Sequence, residues 1–115
     1  MSPRTERERI SDIIRAIDAV AEHRNRAQDL GLPADDALIL DAGVRQLAII
    51  GEAASHLSNN VTARHDQIAW RGVIGMRLML DHGYHRVDAT IVWRTVDDDL
   101  PALRVALLDE LQPPA

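Results

Sequence analysis

The chain has 115 residues, 46% of them apolar, with 13 basic residues against 18 acidic ones and no cysteine. That length allows one domain with a modest core, and the missing cysteines exclude disulfides and thiolate metal sites. A net charge of −5 argues against a dedicated high-affinity DNA-binding domain, and no apolar run is long enough to span a bilayer, so a cytoplasmic protein with no membrane segment is expected.

Every basic residue is an arginine, and the aromatics are Trp70, Tyr84 and Trp93 alone. The core must therefore come from Leu, Ile, Val and Ala, which suits packed helices. In "ISDIIRAIDAV", Ile10, Ile13, Ile14, Ile17, Val20 and Ala21 recur at three- and four-residue intervals, which predicts an amphipathic helix over 6–28. Gly31 and Pro33 punctuate it, and Pro33 suits the first turn of the next helix, where its missing N–H costs nothing. "ALILDAGVRQLAIIGEAASHL" (37–57) places Leu40, Val44, Leu47, Gly51 and Ala54 on one stripe, which Ile39, Ile50, Ala53 and Leu57 widen. A helix apolar on most sides is buried on most sides. Gly43 and Gly51 would each cost about 1 kcal/mol against Ala inside a helix, and the close approach of another backbone would account for them. This helix is read as the centre of the domain and of a dimer interface.

"SNNVTARHD" (58–66) breaks the pattern with turn formers. Helical spacing resumes from Trp70 through Val73, Ile74, Met76, Leu78, Met79 and Leu80, and stops at Gly83. Asp88 is placed to N-cap a further helix carrying Ile91, Val92, Trp93 and Val96. "DDDLP" (97–101) marks a solvated junction before a last helix with Pro101 in its first turn, and the tail over 112–115 should fray. The expected fold is all-α, an antiparallel bundle of four to five helices in a single domain over 1–115, with oligomerisation adding stability to a small core.

One segment carries more chemistry than packing requires. "GMRLMLDHGY" (75–84) holds Arg77, His82 and Tyr84 within eight residues of otherwise apolar sequence. On an unbroken α-helix Arg77 and Tyr84 share a face, whereas His82 points about 140° away from Arg77. Gly83, a common terminator, would let His82 turn back toward them, and so would a second subunit. A histidine titrating near neutrality moves protons, an arginine grips a phosphate through paired hydrogen bonds, and a tyrosine offers a hydroxyl and a stacking ring. Together they suit cleavage of an RNA phosphodiester without a metal. The competing reading is structural: a capping His and Tyr at a helix end, with an arginine snorkelling from an apolar stripe. His82 and His85, with Asp81 and Asp88 nearby, suggest a metal site, but Gly83 between them and the lack of a second cluster argue against one. His23, His56 and His65 are isolated and read as surface or capping residues.

At larger scale, "VRQLAIIGEAASHLS" (44–58) and "IAWRGVIGMRLMLDHGYHRVDATIVWRTVDDDLPAL" (68–103) resemble HepT-like toxins of the HEPN superfamily. With the first helix, the resemblance covers nearly the whole chain. It implies a HEPN-like all-α homodimer whose R-x4-H-x-Y motifs line a shared cleft and act as a metal-independent endoribonuclease with no cofactor. It also implies the toxin of a type VII-like toxin–antitoxin module, silenced when a minimal nucleotidyltransferase of the MntA type transfers AMP to the motif tyrosine. By position Arg77 would stabilise the phosphate, His82 would be the acid/base and Tyr84 the AMPylation target, with Asp81, His85 and Arg86 in support. Asp81 beside His82 would favour the charged imidazole. Leu78 departs from the family, which has a polar residue, typically Asn, after the motif arginine. The other reading that this departure keeps open is a non-catalytic helical dimer that binds the nucleotidyltransferase.

Overall fold

The computed structural model describes residues 3–79 and 88–113, and among these the chain forms α-helices and one 3₁₀ turn, with no strand. The helices are α1 (Glu6–Asp29), α2 (Ala37–Ala54), α3 (Asn59–Arg64), α4 (Trp70–Gly75), α5 (Ala89–Asp98) and α6 (Leu100–Leu111), and the 3₁₀ turn Met76–Met79 follows α4 directly. The all-α expectation holds. The helix number exceeds four to five because the stretch around 60, read as a break, forms a short helix of six residues.

A reciprocal capping box starts α1. The Thr5 hydroxyl accepts from the Glu8 N–H at 3.0 Å, and the Glu8 carboxylate accepts from the Thr5 N–H at 3.1 Å. The Thr5 N–H bond, helped by the Thr5 side chain, holds the Glu8 carboxyl below its ordinary value. The periodic Ile10, Ile13, Ile14, Ile17 and Val20 are all buried. The helix ends where Gly31 takes φ +73°, a left-handed conformation that disfavours a side chain. Pro33 lies outside α2, contrary to the sequence reading: its carbonyl accepts from the Asp36 N–H at 3.0 Å in a turn. Asp36 is the N-cap instead, its carboxylate accepting from the Leu38 N–H at 2.9 Å.

Residues 30–36 return the chain so that α2 packs antiparallel on α1. Ile39, Val44, Leu47, Ala48, Ile50, Ala53 and Ala54 are buried, which makes α2 the central helix that its sequence suggested. Leu47, Ile50, Val92, Leu100, Leu103 and Leu107 are fully or almost fully enclosed, each worth roughly 1.5–3 kcal/mol against exposure. Asp88 caps α5 as expected, accepting from the Thr90 N–H at 2.8 Å. Asp99 ends α5 and begins α6, and Pro101 sits in the first turn of α6. Trp93 is buried, donates to the Ala34 carbonyl at 2.7 Å, and carries Arg24 on its ring at 4.9 Å. Arg24 also pairs with Asp97, fastening α5 to α1. Ile91, expected with the apolar residues of this helix, faces outward at 55% exposure because Val92, Trp93 and Val96 supply the packed face.

Two expectations around residue 60 need correction. The break at 58–66 contains α3, with the Ser58 hydroxyl accepting from the Val61 N–H at 3.3 Å. The backbone N–H of Ser58 donates to Glu6 at 2.6 Å, which ties α3 to the start of α1. His65 is neither isolated nor on the surface, and of the two readings the capping one holds, since it is the C-cap of α3. It is only 7% exposed and contacts Glu110 on α6 at 2.9 Å through Nε2. Arg64 donates to the same carboxylate through two bonds of 2.8 Å. The Arg64 bonds, helped by His65, hold the Glu110 carboxyl below its ordinary range against the opposing effect of burial.

Candidate functional site

Arg77 lies on the 3₁₀ turn, and the sequence fixes its place from three sides. The Trp70 indole donates to the carbonyls of Thr62 at 3.1 Å and His65 at 2.9 Å, which anchors the start of α4. Val73 and Met76 are buried, so the segment is pinned by its inner face and turns Arg77 and Leu78 outward. On the third side stands Gly51 of α2. A Cβ at Gly51 would lie 2.3 Å from the backbone nitrogen of Arg77 and 2.9 Å from the Ile74 carbonyl oxygen. The backbone of α2 therefore rests directly on the turn that carries Arg77, as the sequence reading of this glycine anticipated. Gly43 differs, since what it meets is the Trp93 ring at 3.0 Å and not another backbone.

The change from α to 3₁₀ geometry matters for the motif. The sequence-based angle of about 140° between Arg77 and His82 assumed a continuous α-helix, whereas Met76–Met79 winds at about 3 residues per turn. That angle therefore does not apply. His82 and Tyr84 lie outside the described residues, as do Asp81, His85 and Arg86, and so does the metal alternative at His82 and His85. Of the motif, the structure places Arg77 only. Leu78, which follows Arg77 directly, is 49% exposed.

Arg77 opens onto a groove of about 840 Å³ between α1 and α2. Arg9 and Arg15 of α1 and Gln46, Ile49 and Glu52 of α2 also line it. Among the described residues no carboxylate stands within ion-pair distance of Arg77. An exposed guanidinium not engaged in this way keeps its donor fork for an incoming anion such as a phosphate. Sequence reasoning missed Arg9, Arg15 and Glu52, which periodicity treats as solvated positions. The one local signal was Glu52, next in sequence to the contact glycine Gly51.

Residues 10–109 match the family described as Ribonuclease HepT-like. The chain belongs to that family. Among similar proteins, one named "Probable ribonuclease HepT" from Thermococcus cleftensis is 41% identical over 63 residues, covering 55% of this chain and 57% of that protein. A protein with an RNase name from Caldanaerobacter subterraneus is 35% identical over 77 residues, or 67% of this chain and 69% of that protein. Another from Methanocaldococcus jannaschii is 30% identical over 70 residues, covering 61% of this chain and 64% of that protein. Two of these three matches span less than two thirds of the relative's own length. No solved structure matches the chain.

Arg77 falls inside the region that defines this HepT-like chain, as do Gly51 and both tryptophans. Ribonuclease activity is thus supported for the family, and the described helices agree with a HEPN-like bundle. No helix among the described residues is long and apolar enough to cross a membrane.

Proposed function

We propose that this chain is a metal-independent endoribonuclease, the toxin of a two-gene module, working as a homodimer in the cytoplasm. The observation that carries the reading is Arg77: exposed, without a carboxylate at ion-pair distance among the described residues, and held on its backbone by Gly51. In the proposed reaction the substrate's own 2′-oxygen attacks the adjacent phosphorus and the P–O5′ bond breaks. His82 takes the 2′ proton and returns a proton to the departing 5′-oxygen, leaving a 2′,3′-cyclic phosphate and a 5′-hydroxyl. Arg77 stabilises the charge that builds on the non-bridging oxygens, where a fixed cation contributes most. Tyr84 positions RNA and is the residue that an MntA-type nucleotidyltransferase modifies with AMP, which silences the toxin.

The test is cleavage of RNA in EDTA. Wild type should cut and His82→Ala should lose at least about a hundredfold in rate, the scale of general acid–base catalysis, with an unchanged circular dichroism melt. Equal rates in the two proteins would overturn the assignment. Co-expression with a competent MntA-type partner should add one AMP mass to wild type and none to Tyr84→Phe.

Leu78 favours a second reading, a non-catalytic dimer that binds the nucleotidyltransferase. A side chain without polar atoms, half-exposed beside Arg77, cannot supply the hydrogen bonds of an amide at that position. Leu78→Asn separates the two. A rise in cleavage of about tenfold, worth one bond to a charged group, supports a working but weakened site. No cleavage by either protein supports the binding role.

A further inference from the structure

The groove beside Arg77 carries Arg9, Arg15 and Arg77 against Asp12, Asp18, Glu22 and Glu52. By count it is acidic, but the pairing changes that balance. Asp12 is held by Arg4 at 2.5 and 2.6 Å, and Asp18 by Arg104 at 2.7 and 3.1 Å. Both of those arginines reach in from outside the lining. The Arg104 bond keeps the Asp18 carboxyl below its ordinary value. Glu52 contacts His56 at 3.1 Å. Arg9, although half-buried, has no carboxylate within ion-pair distance among the described residues. Arg15 has only a 4.0 Å approach to Asp12, with its own side chain 80% exposed. Asp12 and Glu52 stand at the arginine end of the groove, so the separation of charge along it rests on Glu22. Because α1 and α2 are antiparallel, Arg9 and Arg15 at the start of α1 lie beside the end of α2, where Gly51 holds Arg77. Glu22 lies toward the opposite end, with Gln46.

We propose that Arg9 and Arg15 continue from Arg77 as a phosphate track for the RNA strand that flanks the bond to be cut. This rests on the ribonuclease reading of Arg77. A single strand is the fitting occupant, because in-line attack by a 2′-oxygen needs a backbone free to leave helical geometry. A second copy docking through its own groove fits less well: it would have to meet three arginines with Glu22 and a Glu52 that already contacts His56, since Asp12 and Asp18 are engaged.

The experiment is fluorescence anisotropy of the full chain with a short 2′-O-methyl oligouridine, which cannot be cut, across a salt series. Arg9→Ala/Arg15→Ala should weaken binding about tenfold at low salt and lower the slope of log affinity against log salt by about 1.4, at about 0.7 per single-strand phosphate contact. On cleavable RNA its KM should rise while kcat holds. Arg9→Lys/Arg15→Lys should restore most of the slope and confirms that charge at these two positions is what acts. Arg26→Ala/Arg94→Ala removes the same charge from exposed positions outside the groove and should change affinity less than twofold. An unchanged slope in Arg9→Ala/Arg15→Ala, or an equal loss in the Arg26/Arg94 variant, overturns the track. A shift in sedimentation with RNA binding intact assigns the groove to a second copy and overturns it too. Wild type that cleaves RNA alongside an unaffected Arg9→Ala/Arg15→Ala removes the track alone, whereas wild type that neither binds nor cleaves removes the ribonuclease reading with it.

Discussion

The two ends of α2 solve the same packing problem in different ways. Near its start, Gly43 makes room for the Trp93 side chain, whose ring edge would lie 3.0 Å from a Cβ there. Near its end, Gly51 makes room for main chain, with the Arg77 nitrogen at 2.3 Å. A ring can tilt or slide by a few tenths of an ångström. A backbone held by its own helical bonds and by buried Val73 and Met76 cannot. The end that positions the candidate site is thus the end with no slack, which holds a charged group in place without hydrogen-bonding its side chain.

The largest effect should follow Gly51→Ala. Alanine gains about 1 kcal/mol in helix propensity, but a clash with main chain should outweigh this and leave a net loss of about 3 kcal/mol, the upper end for overpacking. Urea denaturation measures that loss. RNA cleavage under conditions where the variant is still folded should fall further than the folded fraction does. Gly43→Ala should cost less, about 1 kcal/mol. It falls short of neutral because Trp93 is held at its indole nitrogen by Ala34 and on its face by Arg24. Equal losses from the two substitutions would erase the distinction between a side-chain contact and a backbone contact.

A smaller, pH-dependent effect sharpens the same contrast. Glu110 sits below the ordinary value of 4.5, chiefly because Arg64 donates to it. Its contribution to stability is therefore complete above that value and disappears as the pH falls through the depressed one. Thermal melts should show Glu110→Gln losing stability at neutral pH and less at strongly acid pH, so that its curve converges on wild type. Asp18 and Glu8 are depressed as well, so the wild-type curve should retain some slope in this variant. The uncharged contact at Gly51 should give a loss that is the same at both pH values.

Much of the fold was legible because local signals sufficed for it. The isoleucine spacing gave α1, the broad apolar stripe gave α2 its central place, and Asp88 and Pro101 marked helix starts where they do. The misreadings came from contacts between distant residues. His65 looked isolated because its partner Glu110 stands 45 positions away, and α3 looked like a loop because its anchors are Glu6 and the Trp70 indole. Ile91 is apolar and regularly spaced yet faces outward, since periodicity cannot tell which face of a helix meets a neighbour. For the site, the sequence named Arg77 and the role of Gly51 but missed Arg9 and Arg15, which only the folding of α1 against α2 brings alongside. His82 and Tyr84 rest on the motif alone.

The shared residue Asp99 has a bearing on how the chain tolerates editing. With no connecting loop between α5 and α6, one inserted residue at this junction would rotate α6 by about 100° and advance it by about 1.5 Å. Glu110 would then swing away from Arg64 and His65, and Leu103 and Leu107 would leave the core together. Residues 30–36, by contrast, contain Gly31 and expose Leu30, which leaves room for an inserted tag or reporter before Trp93 locks onto Ala34. The connection between α1 and α2 is where foreign sequence belongs, and the seam at Asp99 is where a length change would undo the domain.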